Sequence, residues 1–296
     1  MVSAKLLAWR VPAVSREVAV PVDATHLELI GGLRVGGVSS GEVDLVDLAA
    51  GASHRIASLI LPVHDAAAGV LAGQTIVVGG GAPTTLPQVQ AMSTPVAGGP
   101  GRPRVVGRLP RPRSDATAVT IDGKLYVVGG YDGATSAPTV LVTANGRSYT
   151  AVAKLPVPVR YPAATALDGL IYVIGGQATR GIRAGHAVDT VQVIDPARGS
   201  AAVLAHLPHP LTAASAVTVG GHIYLVGGRQ TSAPSATASG AVDLLEPRTG
   251  HLRRMALLPV PTSNAAAVVR GHSVWVVGGE TVASPLPYVQ RITIGD

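Results

Sequence analysis

The chain lacks cysteine and phenylalanine altogether. Without cysteine there are no disulfides, thiolate zinc sites, iron–sulfur clusters or cysteine nucleophiles. Without phenylalanine, and with only two Trp and seven Tyr, the core has to be built from Val, Leu, Ile and Ala. Charge is sparse at 14%, against 47% apolar residues, the reverse of a disordered composition. The net charge of +6 comes from scattered arginines, with no run longer than Arg253-Arg254. A positive sum without a clustered patch does not point to nucleic acid. The segment 66–101 carries no charge and is long enough to suggest a membrane span. Gly79-Gly80-Gly81, Pro83, Pro87, Gln88 and Gln90 within it are incompatible with a spanning helix. Met1 to Trp9 contains Lys5 and no apolar signal core. We therefore expect an extracytoplasmic mature domain without its signal, or otherwise a cytoplasmic protein.

What the chain has is a repeat. A double glycine follows an apolar run six times, at Gly31-Gly32, Gly79-Gly80, Gly129-Gly130, Gly175-Gly176, Gly227-Gly228 and Gly278-Gly279. The intervals are 48, 50, 46, 52 and 51 residues. A period near fifty with strand-like content signals a propeller. In the third copy, expected strands are 116–121, 124–128, 139–143 and 148–155. Asp122-Gly123 and Asn145-Gly146 provide hairpin turns that tolerate positive φ. Six copies in 296 residues leave no chain for a second domain.

The segments Leu125-Tyr126-Val127-Val128-Gly129-Gly130, Ile171-Tyr172-Val173-Ile174-Gly175-Gly176 and Ile223-Tyr224-Leu225-Val226-Gly227-Gly228 resemble the kelch repeat. That resemblance implies an all-β, six-bladed β-propeller of four-stranded blades. The aromatic before the glycines is present at Tyr126, Tyr172, Tyr224 and Trp275, but Glu28 and Ile76 stand there in the first two copies. The tryptophan usual near the third strand of the repeat is missing. A copper-oxidase activity of the galactose oxidase type, found in this group, needs a cysteine-linked tyrosine and does not carry over.

The last copy stops after its third strand, 288–294, whereas the N-terminus offers a spare strand at 5–11. The N-terminal strand is expected to complete the last blade, which removes open edges. The expected organisation is one domain, 1–296, with blades near 13–62, 63–112, 113–160, 161–210, 211–261 and 262–296 plus 3–12.

In such a blade the inter-blade links and the loops after the double glycines share one face. The link residues are Ser15-Arg16, His64-Asp65, Ser114-Asp115, Arg160-Tyr161, Thr212 and Ser263-Asn264. They are expected to ring the channel mouth with alternating charge. Arg16 and Arg160 could grip a carboxylate in bidentate fashion, and Asp65 and Asp115 could serve as acids or bases. The loops add Arg34, Tyr131, Asp132, Arg180, Arg183, His186, Arg229, Gln230 and Glu280. The same arginines and acids could instead satisfy one another or the backbone. The candidate ligand-binding set is Arg16, His64, Asp65, Ser114, Asp115, Arg160, Tyr161, Asn264, Arg229 and Tyr131.

Gly37-Val38-Ser39-Ser40-Gly41 matches a nucleophile-elbow pattern, but no helix follows it as that elbow requires. His206 and His209 bracket Leu207-Pro208, which precludes the helix that would present both to a metal. No phosphate loop, dinucleotide fingerprint or calcium loop occurs. The expectation is a monomeric, non-catalytic module without cofactor or metal, binding a protein or a carbohydrate-like ligand. The alternatives are an enzyme acting on a sugar or sugar acid, as in the sialic-acid mutarotase of the kelch-like group, and a purely architectural platform.

Overall fold

The computed structural model describes residues 1–95, 101–181, 184–231, 236–282 and 284–295. It contains six four-stranded antiparallel sheets and is all-β. The first blade comprises Val18–Pro21, His26–Ile30, Glu42–Asp47 and Ala52–Ser58, hydrogen-bonded in that order. Four more blades repeat the pattern, starting at Ala67–Leu71, Ser114–Ile121, Ala163–Leu167 and Ser215–Val219. In the sixth, Ala266–Arg270, Ser273–Val277 and Leu286–Ile294 are completed by the N-terminal strand Val2–Val14. The six first strands line an axial cavity of about 570 Å³.

The sequence alternation explains the layering. In Lys124–Tyr131, Leu125 and Val127 enter one apolar cluster while Tyr126 and Val128 enter another. Successive strand residues point to opposite faces, so each blade is greasy on both sides and packs against both neighbours. There are six such clusters, one per seam. The core is thus six mainly aliphatic layers, with Tyr126, Tyr224 and Trp275 among them, and each fully buried Val, Leu or Ile contributes about 1.5–3 kcal/mol of transfer free energy.

The glycine pairs hold the seams. In five blades the second glycine donates its N–H to a link carbonyl of the next blade, at Val63, Arg113, Val159, Leu211 and Thr262. A Cβ on the first glycine would meet the same five carbonyl oxygens at 2.0–2.7 Å. Both glycines of every pair have positive φ. No other residue combines that backbone with that approach.

Three local details differ from the expectation. The N-terminal strand spans Val2–Val14, running through Pro12 instead of ending before it. It is an outermost strand with an irregular register between Arg10 and Val14, a place that tolerates a missing N–H. The second strand of the third blade continues through its glycines to Tyr131. The fourth begins at Thr150, because Asn145 Oδ1 accepts the N–H groups of Arg147 and Ser148 and prolongs the turn.

Candidate functional site

The mouth is built on a closed ring of main chain. Arg16, Asp65, Asp115, Tyr161, Ala213 and Asn264 occupy one equivalent position per blade, each with φ between 50° and 57°. Such a backbone is costly for residues with a Cβ and persists only where surroundings over-determine it. The determinant is cyclic: each N–H donates to the carbonyl of the preceding blade's ring residue at 2.8–3.2 Å, and Arg16 N–H closes the circle on Asn264. All six residues line the axial cavity. The expectation of alternating charge is corrected here. The fifth place holds Ala213, which carries no polar group, and Thr212 lies one residue earlier, buried and backbone-paired to Arg229.

Arg16 sits in the first blade and Tyr161 in the fourth, opposite in a ring of six, yet Arg16 Nη1 donates to Tyr161 Oη at 3.2 Å. Polar side chains therefore bridge the mouth. Arg16 also lies 3.4 Å from both Asp65 Oδ2 and Glu280 Oε2. Tyr161 Oη donates to Asp65 Oδ2 at 3.3 Å and accepts from Arg160 Nη2 at 2.8 Å. Arg160 Nε is 2.8 Å from Asp115 Oδ2, although the N–H is not aimed at that oxygen, so charge and not an aligned hydrogen bond holds that pair. The Arg160 guanidinium lies 4.8 Å from the Tyr131 ring centre and 4.5 Å from that of Tyr161, a cation–π clamp. Farther round, Glu280 Oε1 accepts from Asn264 Nδ2 at 2.7 Å and from Arg229 Nη2 at 3.2 Å.

The arginine side chains keep an outward face: 27% exposed for Arg16, 26% for Arg160 and 16% for Arg229. The partner carboxylates do not, with Asp65 at 6% and Asp115 at 3%. Burial raises the pKa of Asp65, opposed by Arg16. Burial and then the neighbouring Asp65 charge raise that of Asp115, opposed by Arg160. Burial works against the Arg16 charge, but Asp65, Tyr161 and Glu280 outweigh it and raise its pKa. Burial, then the two aspartates, push the Tyr161 phenol well up. Burial and then Arg16 lower the pKa of His64.

Arg16, Asp65, Asp115, Arg160, Tyr161 and Tyr131 thus form one network, joined through Glu280 to Asn264 and Arg229. Ser114 is buried and pairs with Tyr131 through the backbone. His64 stands apart: its Nδ1 bonds Ser39 Oγ at 2.9 Å, and Nε2 is 3.8 Å from Asp65. Gly81 makes room for this imidazole, since a Cβ there would lie 2.7 Å from His64 Nε2. Of the other loop residues, Arg34 pairs with Glu42 and Asp132 with Arg111, while Arg180, His186 and Gln230 are exposed. Arg183 lies outside the described residues.

Glu280 is the hub that the sequence reading left among the loop residues. Only its place directly after a glycine pair, matching Tyr131 and Arg229, signalled it. Glu17 was missed entirely: it follows Arg16 where other blades have alanine or proline. Its Oε1 accepts the Gly279 N–H at 3.0 Å, and Oε2 has no hydrogen-bond partner. Among the described residues no group of three or more His, Asp or Glu is arranged to hold a metal ion. No helix of the described residues is long and apolar enough to cross a membrane.

The family model of the Kelch motif matches residues 112–142 and 158–200. A curated relative, Kelch-like ECH-associated protein 1A of Danio rerio, is 30% identical over 94 residues. That match covers 32% of this chain and 16% of the relative's length.

Proposed function

We propose that this chain, a six-bladed kelch-repeat propeller, is a non-catalytic, monomeric binding module whose ligand is a segment of a partner protein laid across the channel mouth. Arg16, Arg160 and Arg229 contact the segment, with Tyr131 and Tyr161 beside them. Asp65 and Asp115 hold those groups in place, Asn264 does so through Glu280, Ser114 fixes Tyr131 through the backbone, and His64 flanks Asp65. The observation that carries this reading is Arg160. Its guanidinium is held by two tyrosine rings and a buried aspartate, yet the side chain stays 26% exposed. A guanidinium fixed in advance loses little entropy on gripping a carboxylate. The match to a kelch-like relative supports a protein as the partner.

The test is peptide display on the intact propeller, wild type beside Arg160→Ala. The expected result is a selected set carrying an acidic residue, with affinity at least about tenfold weaker for the variant, as befits a charged hydrogen bond. Peptides that bind both proteins equally would remove this site.

A second reading rests on one observation. Asp65 and Asp115, two buried carboxyls with raised pKa, line a concave cavity beside Arg16, which suits an enzyme of an acidic sugar. Against it, each carboxylate is already matched to an arginine. Turnover of a sugar acid that disappears in Asp65→Asn would favour this reading over the first.

A further inference from the structure

A short loop follows the first glycine pair. Residues 34–38 read Arg-Val-Gly-Gly-Val. Arg34 N–H donates to Val38 O, and Gly37 N–H returns to Arg34 O. This makes a tight turn through Gly36 and Gly37, both with positive φ and open space where a Cβ would be. The turn carries two valines into water, Val35 at 76% and Val38 at 60% exposure.

Its stem is fixed at the mouth on both sides. Leu33 exchanges two backbone hydrogen bonds with Ser15, the residue before Arg16. Ser39 bonds His64, the residue before Asp65. Two further exposed aliphatics share this face: Ile60, beyond the last strand of the same blade, and Val282, after Glu280 in the adjoining sixth blade. Among the described residues, the opposite face exposes only Met1 of the large apolar side chains, the rest standing on outermost strands. Exposed apolar groups gathered beside a polar ring mark an interaction site.

We infer that the 34–38 turn is an apolar anchor, and that the segment bound at the mouth carries an aliphatic or aromatic side chain for it besides the carboxylate for the arginines. The inference rests on the proposed mouth site and adds its second determinant. Charge complementarity selects the occupant. The turn's own Arg34 shares Glu42 with Arg55 and stays 44% exposed, so a solvent-facing guanidinium stands on the turn beside the valines, with Arg16 partly exposed in the same blade and Arg160 across the ring. A partner surface bearing only acids would leave the valines wet, and a purely apolar one would desolvate guanidinium groups without return.

The experiment is the same display, run on wild type, on Val35→Ser/Val38→Ser, and on Arg160→Ala. The turn is exposed and outside every core layer, so the double variant keeps its melting temperature. Wild type selects peptides combining an acidic and a large apolar position. The double variant loses the apolar preference and binds wild-type winners at least about tenfold more weakly, while Arg160→Ala loses the acidic preference. An acidic consensus indifferent to the double variant overturns the anchor and leaves the mouth site standing. Absence of any selected peptide on wild type overturns both.

Discussion

At five of the six seams between blades the second glycine of the pair is met by main chain, and at the sixth by a side chain. In the five, a glycine N–H meets a carbonyl of the following link. At the seam between the sixth blade and the first, the equivalent donor, Gly279, instead meets the carboxyl of Glu17. This is also the seam where the two ends of the chain are brought together, as Val2–Val14 pairs with Leu286–Ile294. Within the continuous part of the chain, link geometry repeats because the same peptide backbone makes the same turn. The first link follows the separate N-terminal strand, whose register is irregular between Arg10 and Val14. Its carbonyl, that of Val14, would lie 3.0 Å from a Cβ on Gly278, against 2.0–2.7 Å at the other seams, and the Glu17 carboxyl takes the Gly279 N–H in its place.

The harshest way to break the comparison is to remove the closing strand. Deleting residues 1–14 strips Val11 and Val14 from the closing layer, along with the partly buried Leu7 and Trp9. Four such side chains are worth on the order of 6 kcal/mol or more, against a total stability of about 5–15 kcal/mol. The expected outcome is loss of a single cooperative thermal transition, read by circular dichroism, and a larger hydrodynamic radius. A sharp transition near the wild-type midpoint would show that five blades stand without closure.

A narrower comparison sets Gly79→Ala against Gly278→Ala. Both positions have φ near 60°, so both share a backbone cost of about 1 kcal/mol. At Gly79 the added methyl would lie 2.0 Å from Arg113 O, a carbonyl that is bonded and cannot retreat. At Gly278 the nearest atom, at 2.3 Å, is the Glu17 carboxyl, with Val14 O at 3.0 Å. A side-chain end can swing aside. Gly79→Ala should therefore cost about 2 kcal/mol more than Gly278→Ala, measured as urea midpoints. Equal costs would mean that Glu17 is as rigid as main chain.

The same contrast explains what could be read from the sequence. The blade number and the N-terminal closure were legible, because a repeat announces itself six times and an incomplete last copy needs a partner. The link residues were legible as a group, because topology alone puts them on one face. Ala213 as a gap in the ring was not, since locating the left-handed position requires the backbone. Glu280 as hub was only half visible, because which of nine loop residues turns inward depends on distances across blades. Glu17 was invisible: it takes the Gly279 N–H at the closing seam, and no other copy carries its like.

The mildest test separates two buried carboxyls on the two sides of the first blade. Burial is the main cause at both: it pushes the Glu17 pKa up to about 8 and that of Glu28, which accepts a short hydrogen bond from Thr75, up to about 7. Both folded values lie above the ordinary 4.5 of the unfolded chain, so the folded protein holds protons that the unfolded one releases. Their contribution is fully present below pH 4.5 and is lost as pH rises to about 7 at Glu28 and about 8 at Glu17. The shifts set upper limits of about 3 and about 5 kcal/mol; relaxation and water entry should leave on the order of 1–2. Glu17→Gln keeps an oxygen for Gly279 N–H and Glu28→Gln keeps one for Thr75, but neither variant can ionise. Each should flatten the fall in melting temperature between pH 5 and pH 9, Glu17→Gln over the wider range. A wild type whose melting temperature does not fall over that interval would mean that both carboxyls reach water, and that the closing seam is looser than the other five.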